Sequence, residues 1–162
     1  MFAMARRTTD TVKRDAAHPA VKALRAFQRE MSRWEWEMIK EDFSDLEHLP
    51  ADKVDAMVDK RRERSRDKLR SIFERHCEAG SQARRVNDVL HYGGDEPDYN
   101  PETEKVLSID EKGGKVIVET QMAHNFRFRL KYELVQSNGK WLLRDNRKCK
   151  GDFNEKWRRW DL

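Results

Sequence analysis

Two cysteines, four prolines and seven glycines are all that this 162-residue chain holds of the residues that staple, break or loosen a backbone. Cys77 and Cys149 lie far apart and show no metal-type spacing. They read as reduced thiols, with a single disulfide still compatible with the count. No apolar run approaches membrane-spanning length, and Met1 to Ala20 contain basic residues without an apolar stretch, which excludes a signal peptide or an anchor there. Charge of one sign is missing too: 34 cationic and 30 anionic residues leave +4, with pI near 9.1. A nucleic-acid binder concentrates its excess on one face, so this balance favours a solvated surface. The chain contains no phosphate-cradling glycine loop, no nucleophile elbow and no zinc signature. His18, His48, His76, His91 and His124 have no ligand spacing to one another or to the cysteines, so no metal site is expected. No cofactor and no catalytic residue is read from the chain.

What is present is a folded, strongly polar protein. Five Trp and seven Phe accompany a charged fraction of 40%, which suits long helices that each bury one stripe. Residues 1–17 are expected to fray and 18–162 to form one domain. His18-Pro19 opens a first helix, whose stripe Val21, Leu24, Phe27, Met31, Trp34 and Met38 runs toward Phe43. Pro50 ends it. A second helix is expected from Ala51 to about Ala79, stopped by Gly80, with the stripe Val54, Met57 or Val58, Leu69, Ile72, Phe73 and His76. The short link predicts an antiparallel pair. Residues 80–102 are a loop with a short helix or edge strand around Val86 to Tyr92. Strands are expected at 103–111, 115–123, 125–136 and 140–148. Lys112-Gly113-Gly114-Lys115 turns the first hairpin and Ser137-Asn138-Gly139-Lys140 the second. Leu107, Ile109, Val116, Val118 and Thr120 share one face. The second turn sets Leu134 opposite Leu143, Glu133 opposite Arg144 and Tyr132 opposite Asp145. Helices followed by antiparallel strands give an α+β fold, two long N-terminal helices packed on a curved antiparallel sheet.

Three constellations bear on function. Asp145 is placed beside Tyr132 on the inward face, where a carboxylate is either a general acid or base or one half of an ion pair with Arg147 or Arg144; the ion pair is the commoner outcome. The cationic run Lys60 to Arg70 is interleaved with Asp55, Asp59, Glu63 and Asp67, so it winds into a salt-bridge-laced helix face. The outward sheet face, with Arg127, Arg129, Lys131, Glu133, Arg144 and Lys148, is the better candidate for binding a partner. Phe126 and Phe128 alternate to the other side, so it lacks stacking platforms for bases and suits an acidic protein. Trp157 and Trp160 are expected to lock the core, with interface anchors as the alternative.

The stretches PDYNPETEKVLSIDEKGGKVIVETQ (97–121) and FRFRLKYELVQSNGKWLLRDNRK (126–148) resemble the nuclear transport factor 2-like fold, a cone in which a bent sheet wraps a helix. More narrowly, the chain resembles the immunity proteins of bacterial polymorphic toxin systems. The resemblance implies a non-enzymatic protein that binds and neutralises a cognate toxin domain in the cytoplasm of the producing cell. It carries no catalytic residues across, and homodimerisation through the outer sheet face would compete with the toxin for Arg127, Arg129 and Lys131. The rival expectation is a dehydratase or isomerase using a pocket of Asp145, Tyr132 and Trp34 with His76 or His124 inside the cone. A third is a nucleic-acid-binding module with steeply salt-dependent affinity. Large inward residues (Phe126, Phe128, Tyr132, Trp34, Trp141) argue for a filled cone.

Overall fold

A computed structural model of the chain describes residues 17–41, 44–79, 96–122, 128–144, 148–150 and 156–159, with backbone alone at 148, 149 and 159. Helix α1 (Pro19–Ile39) begins where Pro19 needs no N–H partner, and His18 caps it by accepting the Ala20 N–H on Nδ1 at 3.1 Å. That bond leaves Nε2 to donate to the Glu111 carboxylate, so one imidazole starts the helix and ties it to the first hairpin. A single turn at Ser44–Leu46 and the N-cap Pro50 lead into α2 (Ala51–His76). The two helices pack antiparallel: Arg75 reaches Glu30 and, further along α1 but earlier in α2, Lys68 reaches Glu37, both at 2.5 Å, while the Trp34 indole N–H donates to the Ser65 carbonyl at 3.1 Å.

Helix α2 stops at His76, three residues short of the expected Ala79. Cys77 takes extended backbone and bridges Leu143 in parallel, and the Glu78 N–H donates to the Leu143 carbonyl at 2.8 Å. Joining the sheet satisfies these groups better than another helical turn would. Gly80 lies outside the described residues, as do Asp42, Phe43 and Val86 to Tyr92.

Among the described residues the strands form one antiparallel sheet: β1 (Lys105–Lys112), β2 (Lys115–Gln121), β3 (Arg129–Ser137), β4 (Lys140–Leu143), β5 (Lys148–Lys150) and β6 (Arg158–Arg159). Its order is β1-β2-β3-β5-β6, with β4 and β5 sharing one edge of β3. Both hairpin turns are as read from the sequence: Gly113, Gly114, Asn138 and Gly139 all have positive φ. Leu134 faces Leu143, and Arg144 N–H donates to the Glu133 carbonyl at 2.9 Å.

Two expectations about register fail. Val106 pairs with Thr120 while Ser108 pairs with Glu119, so Leu107 is the extra residue of a β-bulge. Val106, not Leu107, joins Ile109 against the core. The expected strand 140–148 is also broken. From the pair Leu134–Leu143 to the pair Lys131–Lys148 the register shifts by two residues. Asp145 lies outside the described residues.

The core sits between α1, the second half of α2 and the inner sheet face. Phe27, fully buried, meets Tyr99 edge-on at 5.5 Å and Phe73 at 6.1 Å, beside Leu24, Met31, Leu69, Val118, Leu130, Tyr132 and Leu134. Each such side chain contributes roughly 1.5–3 kcal/mol of burial. The first half of α2 does not join in. Val54 and Val58 are half-buried and Met57 is 38% exposed, against the expectation that Met57 could belong to the buried stripe.

Candidate functional site

The sheet has two unlike faces because β residues alternate. Inward, Val116, Val118 and Thr120 of β2 and Leu130, Tyr132 and Leu134 of β3 are buried. Outward stand Lys115, Ile117, Glu119, Arg129, Lys131, Glu133, Val135 and Leu142, with Arg144 just beyond β4.

The outward charges are organised into ion pairs. Glu119 lies 3.4 Å from Arg129 and 3.8 Å from Lys131. Glu133 lies 3.3 Å from Lys115 and 3.0 Å from Arg144, and Arg144 also reaches Glu78 at 2.9 Å. The carboxylates are the inner partners: the side chains of Glu119 and Glu133 are only 17% and 13% exposed. Hydrogen bonds from its guanidinium to Glu78 and Glu133 hold the Arg144 pKa above the usual arginine value. The face expected to be cationic is therefore an alternating lattice of both signs. Arg127 lies outside the described residues.

Through this lattice runs an apolar seam that sequence reading missed. Ile117 of β2, Val135 of β3 and Leu142 of β4 lie on the same side of three adjacent strands, and Val135 is 8% exposed although it faces away from the core. A concavity of about 320 Å³ opens beside Ile117, walled by Asp110, Lys112, Lys115 and Glu133. The signal was there: Val135 and Leu142 occupy the outward phase of the second hairpin. Each, however, has an apolar neighbour in the inward phase, which hides the alternation. Trp157 belongs to this side as well. Lys131 Nζ stands 4.2 Å from its ring centroid, so it covers the outer face and does not lock the core as expected. Trp160 lies outside the described residues.

Of the candidates for an interior pocket, Tyr132, Trp34 and His76 are among the described residues, and Tyr132 and Trp34 belong to one buried cluster. Tyr132 is buried, its hydroxyl accepting a long 3.4 Å bond from Gln28 Nε2. Gln28 Oε1 accepts from Arg25 at 2.8 Å, Arg25 donates to the Glu104 carbonyl at 2.5 Å, and the Glu104 carboxylate accepts from Thr120 at 2.5 Å. Trp34 also lines a groove of about 280 Å³ between the helices, with Glu30, Arg33, Glu37, Lys68 and Arg75. His76 packs by Glu30 at 3.1 Å, and Asp145 and His124 lie outside the described residues. Among the described residues no cluster of His, Cys, Asp and Glu could hold a metal ion, and no helix is long and apolar enough to cross a membrane.

Chemically, the outer face offers a small apolar centre ringed by paired charges of both signs, the make-up of a protein–protein contact. No curated protein and no solved structure matches the chain. Residues 19–161 match the family described as NTF2 fold immunity protein. That span takes in both helices and all six described strands, so the α+β chain belongs to the NTF2 fold immunity proteins.

Proposed function

We propose that this immunity protein neutralises a cognate bacterial toxin domain by binding it directly on the outer sheet face, in the cytoplasm of the producing cell and without chemistry of its own. The observation that carries the choice of face is the seam Ile117–Val135–Leu142 inside the ion-pair lattice. An apolar centre excludes water while a charged rim selects the partner, which is how most interface energy is concentrated in a few residues. The contact set is Arg129, Lys131, Glu133 and Arg144 around that seam, with Arg127 assigned to the same face from its place in the sequence. Because Glu119 and Glu133 already neutralise those cations, the toxin surface carries both signs and is not simply acidic. The interior supports a structural role: Tyr132, Gln28, Arg25, Glu104 and Thr120 spend their polar groups on one another.

The test is capture of the tagged protein from its own cells, followed by expression of the captured polypeptide alone. Stoichiometric recovery of a domain that kills when expressed alone, and is silenced by co-expression, is the expected result. Ile117→Asp should then speed release of that domain by about tenfold or more while the immunity protein stays folded. Capture of no toxic domain under conditions that preserve nanomolar complexes would overturn the toxin reading; unchanged release by Ile117→Asp would overturn the choice of face.

A further inference from the structure

The net charge of +4 is not spread over the chain. Residues 148–159, which hold β5 and β6, contain five Lys and Arg against two carboxylates, Asp152 and Glu155. Their neighbours on β3, Arg129 and Lys131, share a carboxylate, Glu119. This corner of the sheet therefore holds seven cationic and three anionic residues, +4, and the other 27 cations and 27 anions of the chain cancel. A balanced composition conceals a concentrated excess.

The strand register assembles that excess. Lys131 stands opposite Lys148 and Lys148 opposite Arg159, a cationic row across three strands, and Arg129 stands opposite Lys150 in the next row. Neighbouring strands lie about 4.8 Å apart, and like charges set directly opposite destabilise a sheet. An anion with closely repeated charges relieves that repulsion. Arg129 and Arg158 are exposed and Lys150 is half-buried, so the corner is open to such a ligand. Beside it the half-buried Trp157 ring lies against Lys131 on the outer side, an aromatic platform that Phe128, packed against the core, does not give.

We propose that this corner is a second binding site, for single-stranded nucleic acid, with phosphates along the cationic rows and a base against Trp157. A phosphodiester strand brings a charge and a flat ring with every nucleotide; an acidic protein segment brings the charge alone. A duplex keeps its ring faces stacked inside, so the unpaired strand is the form that reaches the indole. The site meets the proposed toxin contact set at Arg129 and Lys131, but its weight lies beyond β3, on β5 and β6. Val135 of the seam is about 20 Å along β3 from Arg129, more than two screening lengths at physiological salt. Nothing here rests on what the seam binds.

Fluorescence anisotropy of the full chain with a labelled oligothymidine of about 12 nucleotides tests it. Binding is expected at micromolar protein in about 50 mM NaCl, and log K should fall against log salt with a slope of about −2 or steeper, three or more phosphates at about 0.7 each. Lys150→Gln and Arg158→Gln should each weaken binding about threefold or more and flatten the slope by about 0.7. Arg64→Gln, the same loss of charge at an exposed position of α2, should leave affinity within about twofold. Trp157→Ala should cost about fivefold or more on oligothymidine and under about twofold on a strand of equal length without bases, a split that misfolding cannot give. No binding at about 100 µM protein, or a slope shallower than about −1, would overturn the proposal. So would an equal loss from Arg64→Gln, or an equal effect of Trp157→Ala on both strands. Polyglutamate of the same charge bound as tightly would overturn it in favour of an acidic protein segment.

Discussion

Glu30 shows how single groups tie the helices together. Burial pushes its carboxyl pKa up, but the hydrogen bond from Arg75 and the close approach of the His76 ring outweigh this and hold it below the ordinary 4.5. A carboxyl depressed in the folded state stabilises fully above its unfolded pKa, and that contribution is lost as pH falls through the folded value. Between about pH 5 and about pH 3 the urea midpoint of the wild type should therefore fall further than that of Glu30→Gln, and parallel curves would refute the coupling. Other residues show what a sequence can disclose. Asn138 and Gly139 were legible because a two-residue turn demands positive φ, which few residues tolerate. The bulge at Leu107 was not, because Val106 and Leu107 are adjacent apolar residues and either fits the inward phase. Register is decided across strands, by which of them finds Thr120 opposite.

Elements were legible where their period was uninterrupted and obscure where a neighbour decided. The stripe of α1 repeats without a break from Val21 to Met38, and its residues fill the core as read. Phe27→Ala should accordingly cost about 3–5 kcal/mol in chemical denaturation, since it empties a site shared with Phe73, His76 and Tyr99. A loss under about 1 kcal/mol would mean that this aromatic cluster is not where the helix is held. For α2 the same reasoning gave a stripe in two pieces, Val54 with Met57 or Val58 and then Leu69, Ile72, Phe73 and His76, interrupted by the charged block Lys60 to Lys68. Only Leu69, Ile72 and Phe73 are buried in it, because α1 ends too early to cover Met57. Its C-terminus was hidden for a similar reason: the Cys77 bridge to Leu143 joins residues far apart in the chain, and no local residue announces it. The gap between β4 and β5 falls in the polar run Arg144 to Arg147, which reads equally as strand or as bulge.

At the scale of the whole molecule, charge is abundant, and among the described residues ion pairs tie the elements to one another. Pairs join helix to helix (Lys68–Glu37, Arg75–Glu30), connection to helix (Asp45–Arg61) and strand to strand (Glu119–Lys131, Glu133–Arg144). A partner bound at the outer face then meets little net field. Its affinity should change less than about tenfold between about 50 and about 500 mM NaCl, measured by calorimetry. A slope of several decades would instead signal a polyanion such as nucleic acid. The outer face was legible in its charges and not in its seam, since pairing partners emerge only once the strands are in register. The attachment of α2 has a consequence for how such a chain can change in length. Ser65 is held by Trp34, Leu69 to Phe73 by the core, and Glu78 by Leu143. One residue gained or lost between Ser65 and Glu78 would turn everything beyond it by about 100° and take one of those attachments out of phase. Before Asp59 no contact with the sheet is at stake: there a gain or loss disturbs only the Asp45–Arg61 pair and the groove that Val54 and Val58 line with Leu46 and Leu49, at the projecting spar of the helix. Descendants of this chain can thus vary in length at the spar, while the later half of the helix keeps count for the sheet.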